Sequence, residues 1–210
     1  MKPIPVAVAA VALLSLQACS TTRLTDTWRD PGYATRPVSR ILVIGVLVHD
    51  DRPDPSFENA LAAALTRDGY KVVTSSMAFS PMDLETDRIE KYVRDHRIDL
   101  VVQMRIAPRV SSSYTPPASA YVGLPTNVPT GWNGGWYGGW YAPGMLVTVP
   151  GRVTEGSSVE AEIKAFSLAT ESMVWSAASS TENVVGDKDA ARSLAAEVVR
   201  DLEKAGILSR

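Results

Sequence analysis

Chemistry could begin at His49-Asp50-Asp51-Arg52. An imidazole beside carboxylates is raised in basicity and oriented by them, so this group has the makings of an acid/base pair or a metal site. No second His/Asp/Glu cluster follows at ligand spacing, and adjacent residues of an extended chain point apart. The plainer reading is therefore a turn-forming acidic loop in which Asp54 caps a helix. Ser75-Ser76 lacks the G-x-S-x-G frame, and only His49 and His96 could serve a nucleophile as base, which disfavours a serine hydrolase. His96 lies in Arg94-Asp95-His96-Arg97, where a cation would complement a helix C-terminus. Arg105 and Arg109 could face the acidic loop, with an ordinary salt bridge as the plainer reading. Neither G-x-G-x-x-G nor G-x-x-x-x-G-K-[ST] occurs, so no nucleotide, and no other cofactor, is expected.

A second grouping is aromatic. Gly131 to Tyr141 holds Trp132, Trp136 and Trp140, three of the five tryptophans, with Tyr137 and Tyr141 between and after them. The four-residue spacing would suit a helix, but the interleaved glycines deny one. In an extended chain the three indoles share one face and the two phenols the other, giving a two-sided ribbon. Exposed, such a ribbon could stack on sugars, rest at a membrane interface or anchor a partner. Folded back, it would cover a sheet edge or pad the core.

The elements that must position these groups follow from periodicity. Ile41 to Val48 is an apolar, β-branched run of strand length, of the kind buried on both faces of a parallel sheet, and is expected to be the central strand. Asp54-Pro55 opens a helix with Phe57, Leu61, Ala64 and Leu65 on one face, and Gly69 ends it. Tyr70–Thr74 is a second strand. Ser80 caps a second helix reaching about Arg94, and Ile98–Ile106 is a third strand. A β-α-β-α-β order implies parallel strands with helices on the sheet's faces. Pro108 to Gly156 breaks the pattern with Pro, Gly, Ser and aromatic residues and holds at most one strand, Met145–Val149. Val159–Ala165 alternates as a half-exposed strand, Met173–Ala178 pairs with it as a hairpin, and Asp187 caps a closing helix ended by Gly206. The expected fold is α/β: a βαβαβ parallel core extended by an antiparallel hairpin and closed by a C-terminal helix, as a two-layer or three-layer sandwich.

Composition bounds what this fold can do. Two hundred and ten residues, 45% hydrophobic and 21% charged, make one domain with a sizeable core. Twenty-one basic against 23 acidic residues leave no global field to draw in nucleic acid. The single cysteine, Cys19, excludes an internal disulfide framework. Before it, Met1-Lys2 and the uncharged run Ile4 to Leu16 have a signal-peptide layout, too short to span a bilayer as a helix. Leu16-Gln17-Ala18-Cys19 resembles the lipobox of bacterial lipoproteins, although Gln17 is an unusual residue within it. That resemblance implies cleavage of residues 1–18 and acylation of Cys19, palmitate included, with several chains making attachment lasting. Ser20, where an Asp would favour inner-membrane retention, implies an outer-membrane, periplasm-facing anchor. Residues 19–40 then read as a lipidated tether and residues 41–210 as a single periplasmic domain carrying the 108–156 insert.

The mature chain resembles a family of small Gram-negative outer-membrane lipoproteins whose periplasmic domain has no assigned function. Thr27-Trp28-Arg29-Asp30-Pro31, Ile41 to Val46, Arg52, Phe57-Glu58 and Ser75 carry the likeness, with the aromatic insert, Val174-Trp175-Ser176 and the closing helix. The resemblance implies a cell-envelope module and brings no catalytic residues. A non-enzymatic domain is therefore expected, binding an envelope protein or glycan through Trp132, Trp136, Tyr137, Trp140 and Tyr141 or through the loop after strand one. Two alternatives stay open: a metal-assisted or acid/base enzyme using His49, Asp50 and Asp51, and a self-associating scaffold pairing through an exposed hairpin edge.

Overall fold

The computed structural model describes residues 20–47, 55–80, 86–107, 110–111, 119–121, 146–148, 157–184 and 186–209. In chain order the elements are β1 (Thr21–Arg29), β2 (Arg40–Leu47), α1 (Pro55–Arg67), β3 (Lys71–Thr74), α2 (Ser75–Ala78), α3 (Thr86–Asp95) and β4 (Leu100–Ile106). There follow β5 (Val110–Ser111), β6 (Ser119–Tyr121), β7 (Leu146–Thr148), β8 (Ser157–Ser167), β9 (Ser172–Glu182) and α4 (Asp187–Lys204). The main sheet has the order β1-β9-β8-β4-β2-β3, with β5 paired to β8, while β6 and β7 pair with each other. The fold is α/β, with a mixed sheet and a C-terminal helix as the periodicity implied.

Parallel pairing holds where helices intervene. β2 pairs in parallel with β3 on one side and with β4 on the other. Ile41, Leu42, Val43 and Ile44 are all fully buried, because α1 and α4 cover one face and α3 the other. On the first face Phe57, Leu61 and Leu65 of α1 and Leu194, Val198 and Leu202 of α4 pack on Ile41, Val43, Met104 and Ile163. On the second, Ile89 and Val93 of α3 lie on Leu42, Ile44, Val101 and Phe166.

Several expectations are corrected. Thr21–Arg29, read as tether, is an edge strand paired antiparallel with β9. Its period was hidden because Asp26 adopts φ 48° and the register shifts between Thr25 and Trp28, a bulge that interrupts the alternation. β2 is not central; β8 and β4 occupy the middle of the sheet. The hairpin strands β8 and β9 are interior, and the edges are β1 and the four-residue β3. The insert contributes β5, β6 and β7 rather than a single strand. Gly186, not Asp187, is the cap residue of α4: its carbonyl accepts from the Asp189 and Ala190 amides, and Asp187 supplies first-turn negative charge instead.

All three long helices end in the same device. Tyr70 N donates to Leu65 O, Ile98 N to Val93 O and Ile207 N to Leu202 O, each beside a residue of positive φ. This is the Schellman motif, whose left-handed position favours glycine. Gly69 (φ 93°) and Gly206 (φ 68°) fill it after α1 and α4, and Arg97 (φ 51°) fills it after α3. A side chain costs about 1 kcal/mol or more in that conformation. At Gly206 an added Cβ would also come within 3.1 Å of the Thr35 hydroxyl, whereas at Gly69 nothing lies within 4 Å. Gly206→Ala is expected to lose about 1–2 kcal/mol and Gly69→Ala about 1 kcal/mol in urea unfolding.

Candidate functional site

The strand registers decide which end of the sheet each candidate occupies. Leu47 pairs with Ile106, Ile106 with Ala161, Val159 with Thr181 and Thr21 with Glu182. The start of β1, the ends of β2 and β4 and the start of β8 thus share one end of the sheet. Cys19, His49, Asp50, Asp51, Arg52, Arg109, Trp132, Trp136, Tyr137, Trp140 and Tyr141 themselves lie outside the described residues. Ser20 and Leu47, from which Cys19 and the His49 loop continue, fall at this end, as do Ile106 and Ser157, between which the insert runs; the aromatic group itself lies between β6 and β7, which form a separate two-stranded sheet.

A buried carboxylate organises it. Glu58, on the first turn of α1, is fully buried. Its Oε1 accepts from the Gly45 amide at 2.9 Å and from the Ser75 hydroxyl, and its Oε2 accepts from the Ser76 amide at 3.0 Å. The cause is a mismatch in strand length. β3 ends at Thr74, opposite Val43, so β2 runs on without a neighbour on that side and the Gly45 amide needs another acceptor. Glu58 supplies it and, through the other two bonds, fixes the chain as it turns from β3 into α2. Ser75 is also fully buried. With its proton committed to Glu58 and no exposure, the hydroxyl has no route to a substrate. Glu58 and Ser75 both belong to the family likeness, but only the β2–β3 length difference shows why an acid is needed there.

On the face covered by α3, the row of Val101, Phe166 and Met173 is apolar, and the surface turns polar farther along β4 and β8. Gln103, Lys164, Ser176 and Trp28 stand in one register row across β4, β8, β9 and β1. In the next row Arg105 stands opposite Glu162. Gln103 is 2% exposed, and neither its Nε2 nor its Oε1 has a hydrogen-bond partner among the described residues. Lys164, expected on the exposed side of an alternating strand, is buried instead and forms a 2.9 Å ion pair with Glu162. Trp28, at the margin of this row, is 36% exposed. The row therefore combines a buried unsatisfied amide, the ion pair of a buried lysine and a buried hydroxyl, with the indole of Trp28 accessible at its margin. Among the described residues no group of three or more His, Cys, Asp or Glu side chains could hold a metal, and no helix is long and apolar enough to cross a membrane.

The opposite end is tied shut by Arg29. Its Nε donates to Ala205 O at 2.6 Å and its Nη2 to Tyr33 O at 2.8 Å, placing a cation at the C-terminus of α4. Trp175, paired with Arg29 in register, donates from Nε1 to Asp201 on the same helix at 3.0 Å. His96 matches its expected place just beyond α3, where its ring stacks on Tyr92 with centroids 3.9 Å apart. Nearby, the hydrogen bond from the Lys91 ammonium holds the Asp95 carboxyl below the usual range.

No protein-family model matches the chain, and no curated protein matches it. Among solved structures it is similar to a PelC dodecamer from Paraburkholderia phytofirmans, at 14% identity over 91% of this chain and 99% of that one, with a TM-score of 0.46. A point variant of that dodecamer gives 16% identity, the same coverage and a TM-score of 0.46. A PDZ domain protein from Parabacteroides distasonis is similar at 10% identity, 91% of this chain, 39% of that chain and a TM-score of 0.34. Likenesses this distant do not bear on what this chain binds or does.

Two substitutions separate scaffold from site. Glu58→Ala strands the Gly45 and Ser76 donors and is expected to cost about 3 kcal/mol or more in denaturant unfolding. Gln103→Leu removes an unpaired buried amide and is expected to be neutral or stabilising by about 1 kcal/mol in the isolated protein.

Proposed function

We propose that this chain is an outer-membrane lipoprotein, acylated at Cys19 and facing the periplasm. In this reading it binds an envelope protein or glycan without catalysing a reaction. The supporting observation is the shared end of the sheet: β1 begins at Thr21, beside the strand ends from which the 108–156 insert leaves and to which it returns. An acyl group two residues before Thr21 would hold that end at the bilayer, together with the roots of the insert that carries Trp132, Trp136 and Trp140. Trp28, exposed at the margin of the adjoining face, adds an indole for a partner to cover. Against catalysis stands the burial of the Ser75–Glu58 pair, which is the one nucleophile-like arrangement among the described residues.

A self-associating scaffold is the second reading, moved from the interior hairpin to β1, whose outer edge carries the exposed Trp28. The Asp26 bulge and the charges of Arg23 and Asp26 blunt that edge against long ladder extension, which favours a hetero-partner instead.

The anchor is tested by Cys19→Ala, expected to prevent acyl labelling with radioactive palmitate; undiminished labelling would refute it. The partner is tested with photoreactive residues at positions 132, 136 and 140 in membrane fractions, followed by mass spectrometry. A discrete crosslinked protein or glycan is expected. Self-crosslinks alone would favour the scaffold, and a bound divalent metal with turnover at His49 would replace both readings with the enzyme.

A further inference from the structure

Away from the insert, at the amino ends of β2 and β4, lies a groove of about 400 Å³. That size is within the range of small-molecule sites. Its floor is apolar: Tyr33, Val38, Ile98 and Leu168 line it, the first three of them buried. Its rim is cationic, with Arg36, Arg94 and Arg97. Arg94 pairs with Glu90 along α3. The acid lining the groove, Asp99, is already engaged: its Oδ2 accepts from the Ser39 and Arg40 amides at 2.8 and 2.9 Å. Asp95, the other nearby acid, is bonded to Lys91. Arg36 and Arg97 are exposed and have no ion-pair partner among the described residues.

Arg97 carries a second signal. It occupies the left-handed cap position that glycine fills after both other long helices. Glycine would relieve the backbone there, so the side chain is held in a disfavoured conformation at the mouth of the groove. Two planar guanidiniums with free donors above an apolar floor match one ligand chemistry: an anionic head, bound through paired N–H groups, on a short apolar body.

We infer that this groove binds a small anionic amphiphile, its phosphate or carboxylate head held by Arg36 and Arg97 and its chain lying on Val38, Ile98 and Leu168. The nine residues of β1 at about 3.3 Å each separate this end from Thr21 by about 30 Å. A ligand free in solution therefore fits the site better than a headgroup of a bilayer lying at the Thr21 end. The soluble source rests on the proposed anchor at Cys19; the anion-binding groove itself does not.

Calorimetric titration of the full chain in detergent-free buffer with n-dodecyl phosphate tests it. Saturable binding is expected, at least tenfold tighter than for inorganic phosphate, and none for dodecyltrimethylammonium. Arg97→Gly is expected to raise the unfolding midpoint by a few degrees while weakening binding at least tenfold, a combination that lost folding cannot produce. Arg36→Gln is expected to weaken binding similarly without moving the midpoint. Parent-like affinity in both variants, or equal affinity for the cationic amphiphile, would overturn the site. Equal affinity for inorganic phosphate would overturn the apolar subsite, and Arg97-dependent sedimentation with phosphatidylglycerol vesicles would overturn the soluble source.

Discussion

The antiparallel pairing of β8 with β4 is the constraint on which the rest of the molecule depends. β4 closes the parallel half of the sheet, and a further parallel strand would have required a crossover back to its amino end. By running the other way, β8 lets the chain between them depart and return at one end, so the long insert needs no passage across the core. Every later strand inherits this choice. β9 folds back on β8, and β1 completes the sheet beside β9, which brings the first described residues to the end where the insert is rooted. Two segments far apart in sequence are thereby neighbours because of strand direction alone.

Two hydrogen-bonded knots hold this arrangement, one at each end. Glu58 ties β2, α1 and the turn into α2 at the first; Arg29 ties β1, the following loop and the end of α4 at the second. Both use a charged group to satisfy backbone atoms that the regular elements leave over: an amide beyond a short neighbouring strand, and a terminal helix carbonyl. At the same end as Glu58, Thr22, Thr181 and Ser193 form a small hydroxyl cluster joining β1, β9 and α4. The N-terminal strand is thus integral to the domain rather than an attachment to it.

Where a single physical effect dominated, the sequence was readable. The β-branched run at Ile41–Val46 had to be doubly buried, the stripe from Ala191 to Leu202 had to face a core, and Gly69 and Gly206 marked helix ends through their own conformational freedom. β1 escaped because one left-handed residue, Asp26, shifts the register and erases the alternation. Edge and centre were misassigned because periodicity reports which face of a strand is buried and is silent on its neighbours. Lys164 looked solvated by alternation, yet its place in the middle of the sheet buries it against Glu162. Glu58 and Ser75 could be picked out singly, but their joint role arises from the unequal lengths of β2 and β3, a tertiary fact. The aromatic and His49 groupings were legible as chemistry only; their geometry falls outside the described residues.

The early start of β1 also has a mechanical consequence. A load applied at Ser20 along the strand direction meets the β1–β9 ladder in shear, so its hydrogen bonds share the force at once instead of opening one after another. Arg29 and its bond to Ala205 lie at the far end of that strand and would take strain only after the ladder slips. A pull across the sheet would instead peel β1 from its first residue, meeting the Asp26 irregularity partway. Resistance in this domain is therefore directional, stiff along its strands and yielding at its edge.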